Sequence, residues 1–181
     1  MKQFKIVLGL CYLLLATACN QSPSLEKYFV ESADKPNFVN LDVSPSMLIT
    51  DKMALTEEQK EALKGFDKMN VVVLKKTPTN AEALENERKV IRTILKNEKY
   101  QELMRVSLGR QGGSISYVGD QNHISEFVIE GNKADIGLAV VRITGKDMTI
   151  NKVFDVVKAL QASNLNTKEL APLLEMFKNK I

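Results

Sequence analysis

Leu103-Met104-Arg105-Val106-Ser107-Leu108-Gly109-Arg110-Gln111-Gly112-Gly113-Ser114-Ile115-Ser116-Tyr117-Val118-Gly119 is where the hydrophobic period of the chain changes from 3.6 residues to 2. Met104, Val106 and Leu108 alternate with Arg105 and Ser107, and the glycines from Gly109 to Gly113 mark a turn. Ile115, Tyr117 and Gly119 then alternate with Ser114, Ser116 and Val118, and Gly119-Asp120-Gln121-Asn122 turns the chain again. Phe127 and Ile129 alternate with Glu126, Val128 and Glu130 up to Gly131-Asn132, a two-residue hairpin signal that predicts Glu130 opposite Lys133. The return segment, Ile136 to Ile143, is apolar on both faces and is expected to lie centrally, ending at Gly145. Closely spaced strands joined by short turns form an antiparallel meander.

Upstream, Asn37 to Val43 alternates as a half-buried strand. Asn70-Val71-Val72-Val73-Leu74 is apolar on both faces, the pattern of an interior strand. Helical segments are expected between and after these strands. Ser46 to Leu55 contains no breaker. Thr56-Glu57-Glu58-Gln59 is a capping box, with Ala62, Leu63 and Phe66 giving the apolar face behind it. Thr79-Asn80-Ala81-Glu82 reads as a second capping box. It opens a helix striped by Leu84, Glu87, Val90, Ile91, Ile94 and Leu95, with Glu85 and Lys89 spaced for an ion pair. Met148 to Ala162 carries the stripe Val153, Val156, Val157 and Leu160, and a last helix starts near Pro172. The fold class is α+β: a mainly antiparallel sheet, a meander plus one or two N-terminal strands, with helices packed on it.

The N-terminus speaks to location. Lys2 and Lys5 precede an apolar run from Ile6 to Leu15, which is shorter than the roughly 20 residues a spanning helix needs. Ala16-Thr17-Ala18-Cys19 follows and resembles a bacterial lipobox, with Ala16 where many such motifs have Leu. That resemblance implies a lipoprotein signal peptide over residues 1–18 and a mature N-terminus at Cys19, whose thiol carries a lipid with acyl chains of the palmitate type. Residues 19–36 are then a tether, beginning with the polar Asn20-Gln21-Ser22-Pro23-Ser24 and continuing through Leu25 to Val30 as a helical turn or a loosely docked segment, and 37–181 a single α+β domain. Asn20, in place of Asp, points to the outer rather than the inner membrane of the cell envelope.

Losing Lys2 and Lys5 lowers the formal charge from +3 to +1, which argues against a nucleic-acid binder. Cys11 leaves with the signal and Cys19 is the lipid attachment residue, so no thiol remains for a disulfide, a metal or a nucleophile. His123 is the only histidine and follows a turn, where a surface position is the simplest reading. Ser125 and Asp120 lie near it in sequence, but no nucleophile elbow surrounds any serine. Gly109 to Gly113 leads into a strand, whereas a phosphate loop leads into a helix N-terminus. Glu57, Glu58, Glu61, Glu82, Glu85 and Glu87 read as solvated helix acids, and Met47, Met53, Met69, Met104 and Met148 as fillers of core gaps.

Gly65-Phe66-Asp67-Lys68-Met69-Asn70-Val71-Val72-Val73 forms one block of a further resemblance. Tyr100-Gln101-Glu102-Leu103-Met104, Ile124-Ser125-Glu126-Phe127-Val128, Gly145 and Val157-Lys158-Ala159-Leu160 form the other. Together they resemble a family of small exported bacterial lipoproteins known only as a domain of unknown function, over roughly residues 35–162. The resemblance implies no catalytic residue, cofactor or metal. The expected function is a membrane-anchored envelope lipoprotein that binds, senses or scaffolds, held to the membrane by Cys19, with an envelope protein as partner and no enzymatic activity. The alternative is an enzyme acting on an envelope polymer through carboxylates, which requires paired acids in a cleft.

Overall fold

The computed structural model describes residues 23–48, 55–109, 111–133 and 137–162. Among them the elements in chain order are α1 (Leu25–Ser32), β1 (Phe38–Val43), α2 (Pro45–Leu48), α3 (Glu57–Lys64), β2 (Phe66–Lys75) and α4 (Ala81–Leu95). Four strands and a helix follow: β3 (Gln101–Leu108), β4 (Gln111–Asp120), β5 (His123–Lys133), β6 (Gly137–Met148) and α5 (Ile150–Ala162). The strands make one antiparallel sheet in the order β1-β2-β6-β5-β4-β3. The meander β3 to β6 is therefore extended by both N-terminal strands, and the α+β class holds.

The two segments that are apolar on both faces occupy the interior places. Val72 of β2 pairs with Val140 of β6, and Val71 with Val141. Period-2 geometry sends the members of each pair of neighbours to opposite faces, and both faces are covered. On the first, Ala62 and Leu63 of α3 with Val153 and Val156 of α5 pack over Met69, Val71, Phe127, Val141 and Ile143. On the second, Leu25 and Tyr28 of α1 with Ile91 and Ile94 of α4 pack over Val72, Val128 and Val140.

Several local expectations change. The body of the domain starts before residue 37: residues 25–36, expected within the tether, hold α1, where Leu25, Tyr28 and Ser32 are buried. Ser24 caps it by accepting from the Lys27 amide. Thr56 and Gln59 close the expected capping box at α3, each accepting from the other's backbone N–H. The second box does not form. The Asn80 side chain instead accepts from the Thr77 amide and donates to the Lys75 carbonyl, each at 2.8 Å, and so closes the loop leaving β2. Glu85 takes Arg88, one turn on, in place of Lys89. Of the helical segment expected over Ser46 to Leu55, α2 forms the first turn, and residues 49–54 lie outside the described residues.

β5 runs through Gly131 and Asn132 to Lys133, which faces Gly137, while Glu130 faces Val140. The Glu130–Lys133 pair therefore does not exist, because pairing along β6 continues past the glycine and gains further backbone hydrogen bonds. β6 likewise runs past Gly145 to Met148. Gly145 is needed there for another reason: it faces Phe66, and a Cβ on it would collide with the Gly65 carbonyl.

Candidate functional site

The sheet face beneath α1 and α4 is unusual because its alternating polar positions are buried. In a half-solvated sheet, Ser114, Ser116, Glu126, Glu130 and Asn70 would face water. Here all five are buried. Burying charge without a partner is costly, so their partners define what this face does.

Around Glu126 the register supplies the partner. Val128 faces Arg142 and Glu126 faces Thr144, which makes Glu126 and Arg142 diagonal neighbours on one face. Arg142 Nη2 donates to Glu126 Oε2 at 3.1 Å and to Glu26 Oε1, in the first turn of α1, at 2.6 Å. The Tyr100 hydroxyl donates to Glu126 Oε1 at 2.9 Å. One guanidinium thus ties α1, β5 and β6 together, and Tyr100 brings in the chain leaving α4. Burial pushes the Tyr100 phenol far above its ordinary range, with the Glu126 charge adding to it. Burial opposes the Arg142 charge, but the hydrogen bond to Glu126 and the charges of Glu126 and Glu26 together outweigh it, for a net shift upward. Glu26 is raised by burial but lowered more by the backbone N–H it accepts from, Arg142, Lys99 and Ser24 together, for a net shift downward.

Two periods along, Glu130 faces Ser114 across to β4. Its Oε2 and the Ser114 Oγ have no hydrogen-bond partner. Burial raises the Glu130 carboxyl above the ordinary carboxylate range, against the opposing charges of Arg92, Arg88 and Arg105. The folded state therefore binds this proton more tightly than the unfolded chain. The stabilisation is complete in acid and is lost as pH rises through the raised value. Glu130→Gln keeps the shape without the charge, so its melting temperature at neutral pH should exceed that of the wild type. The two curves should converge in acid. A lower value at neutral pH would mean that the arginines fully compensate the carboxylate.

The residues singled out in the sequence fall elsewhere. Cys19 and Met53 lie outside the described residues, as does the helix expected near Pro172. His123 opens β5 at the turn after Asp120, with its ring Nδ1 3.2 Å from Asp120 Oδ1 and its side chain in solvent. Ser125 Oγ donates to the Val118 carbonyl, so Ser125, His123 and Asp120 do not form a relay. The glycine turn joins β3 to β4. Glu57, Glu58, Glu61, Glu82 and Glu85 are exposed, whereas Glu87 is half-buried and accepts from Lys35 at 3.1 Å. Met69 and Met148 fill the core, but Met47 and Met104 are exposed. Val90, expected in the apolar stripe of α4, is also exposed.

The buried set Tyr100, Glu126, Glu130 and Arg142 was not predicted as a site. Its one trace in the sequence is that Glu126, Glu130 and Arg142 interrupt the apolar runs of β5 and β6. Among the described residues no group of three or more His, Cys, Asp or Glu side chains is placed to hold a metal ion. No described helix is long and apolar enough to cross a membrane.

Residues 28–156 match the model of a family described as a domain of unknown function, DUF4252, and the chain belongs to that family. No curated protein and no solved structure matches it.

Proposed function

We propose that the chain is a lipid-anchored lipoprotein of the bacterial cell envelope, on the outer rather than the inner membrane, acting as a binding, sensing or scaffold module. The observation that carries this reading is the series Lys2, Lys5, the apolar run to Leu15, and Ala16-Thr17-Ala18-Cys19. The fold adds a geometric consequence. Only residues 20–24 separate Cys19 from the first residue of α1, a reach of about 20 Å fully extended. A domain on so short a tether stays beside the bilayer surface. α1, nearest the anchor, is joined to the sheet through Glu26 and Arg142.

The buried face favours binding over carboxylate catalysis. Glu126 and Glu130 are its two buried acids, and they are four residues apart on one strand. That places them about 13 Å from one another, with buried Val128 between them. Two carboxyls that share a glycosidic bond stand roughly 5–9.5 Å apart. Glu126 is in addition held by Arg142 and Tyr100.

Cys19→Ser tests the anchor. Cells making the wild type should incorporate labelled palmitate into the protein, which should fractionate with membranes. The variant should take up none and remain as an unprocessed precursor. Equal labelling of both proteins would refute the lipid anchor. Removal of the signal without any labelling would show an ordinary secretory signal.

A further inference from the structure

We infer that the free edge of β3 pairs antiparallel with β3 of a second copy of this chain, joining two six-stranded sheets into one. Among the described residues β3 has β4 on one side and no strand on the other. A bare edge carries a row of unpaired backbone N–H and C=O groups, a template for a further strand. The opposite edge, β1, is instead clamped to α1: Ser32 Oγ donates to Asn40 Oδ1, and Asn40 Nδ2 donates to the Ser32 carbonyl.

The side chains of β3 specify which strand fits. The register with β4 shifts between Glu102, which faces Ser116, and Met104, which faces Ile115. Leu103 is the extra residue of a bulge. The bulge places Glu102 and Arg105 on one face, although residues three apart in a regular strand point to opposite faces. Only for this reason do Arg105 and Glu102 pair within the strand. On the other face the bulge sets Leu103 beside Met104, which is half exposed and, among the described residues, the one exposed large apolar side chain on a strand.

An antiparallel copy set so that Glu102 faces Arg105 of its mate also sets Leu103 against Met104. Two-fold symmetry repeats both contacts. The edge is thus complementary to itself in charge and in apolar surface at one and the same register. The intrastrand ion pairs are exchanged for two pairs between copies, and Met104 leaves water.

The test uses the full-length chain carrying two different C-terminal tags, co-expressed and cross-linked in the membrane before detergent extraction. Wild-type copies should co-purify. Glu102→Arg alone places Arg against Arg, and Arg105→Glu alone places Glu against Glu; each should reduce co-purification about tenfold or more. Mixing the two variants sets a chain with arginine at both positions against a chain with glutamate at both, and should restore it. Thermal melts check that each variant is folded. If either is not, Met104→Lys replaces it and should give the same loss. Absence of wild-type co-purification would overturn the inference and assign the bulge and charges to keeping the edge unpaired. So would single variants that co-purify like the wild type, or folded variants that fail to restore association when mixed.

Discussion

Val140→Asp should destabilise the domain by about 4 kcal/mol or more, a large share of the 5–15 kcal/mol that holds a typical domain folded. Val140 is completely buried on the central strand β6, where it packs with Val72, Val128 and Ile91 under α1 and α4. Its flanking partners across the sheet are Val72 and Glu130. A new carboxylate would therefore enter the core beside a buried acid, Glu130, whose Oε2 already lacks a partner. Val141→Asp should be about as severe on the opposite face, where Val141 packs with Val71 and Ile143. Val30→Asp provides the control: Val30 is a β-branched side chain 72% exposed on α1, and its change should stay within about 0.5 kcal/mol. Urea melts of the three variants decide the matter. An unchanged midpoint for Val140→Asp would place β6 at an edge and contradict the strand order.

The middle of β6, Leu138 to Val141, could be read from its sequence because a segment with neighbours on both sides and helices on both faces is apolar on both faces. The same logic identified Val71, Val72 and Val73. Capping at Thr56 was legible because its partners lie three residues apart. Glu130 was misread for the opposite reason. Gly131-Asn132 satisfies the local rule for a tight turn, but the pairing of Lys133 with Gly137 is settled by what the whole of β6 gains in register. Ser114, Ser116 and Glu126 show a deeper limit. Alternation states that a strand has two chemically different faces, and it does not state that the polar one is open to water. That outcome depends on α1, whose Glu26 meets Arg142 across 116 residues of chain, and no window of sequence contains both partners. The bulge at Leu103 was illegible too, since an alternation of apolar and polar residues reads the same whether or not one residue is inserted. Cys19 remains legible only in sequence, because it lies outside the described residues.

Removing Arg142 should cost more than removing any other polar side chain of the buried face. In Arg142→Ala, Glu126 keeps the Tyr100 hydroxyl but loses the guanidinium it pairs with, with its side chain just 8% exposed. An uncompensated buried charge of this kind costs about 3–5 kcal/mol. The loss of Glu26 adds little, since that carboxylate returns to solvent. Glu126→Ala should be milder, because Arg142 still has Glu26 to pair with. Tyr100→Phe removes one donor and should cost about 1–1.5 kcal/mol. The informative variant is the double replacement Glu126→Leu with Arg142→Met, which fills the same space and removes both charges of the pair. Its stability should return to within about 1–2 kcal/mol of the wild type, because the desolvation of both ions disappears together with their attraction. In that background Tyr100→Phe should lose most of its effect, a coupling that a double-mutant cycle reads directly. Equilibrium urea melts supply all of these values. A cost below about 1 kcal/mol for Arg142→Ala would mean that water reaches Glu126 and that α1 does not seal this face. A double variant that is stable but fails to complement a deletion strain would separate the two roles of the cluster. The ion pair would then be present because something outside the domain reads it, and the position of α1, set by Arg142, would be what is read.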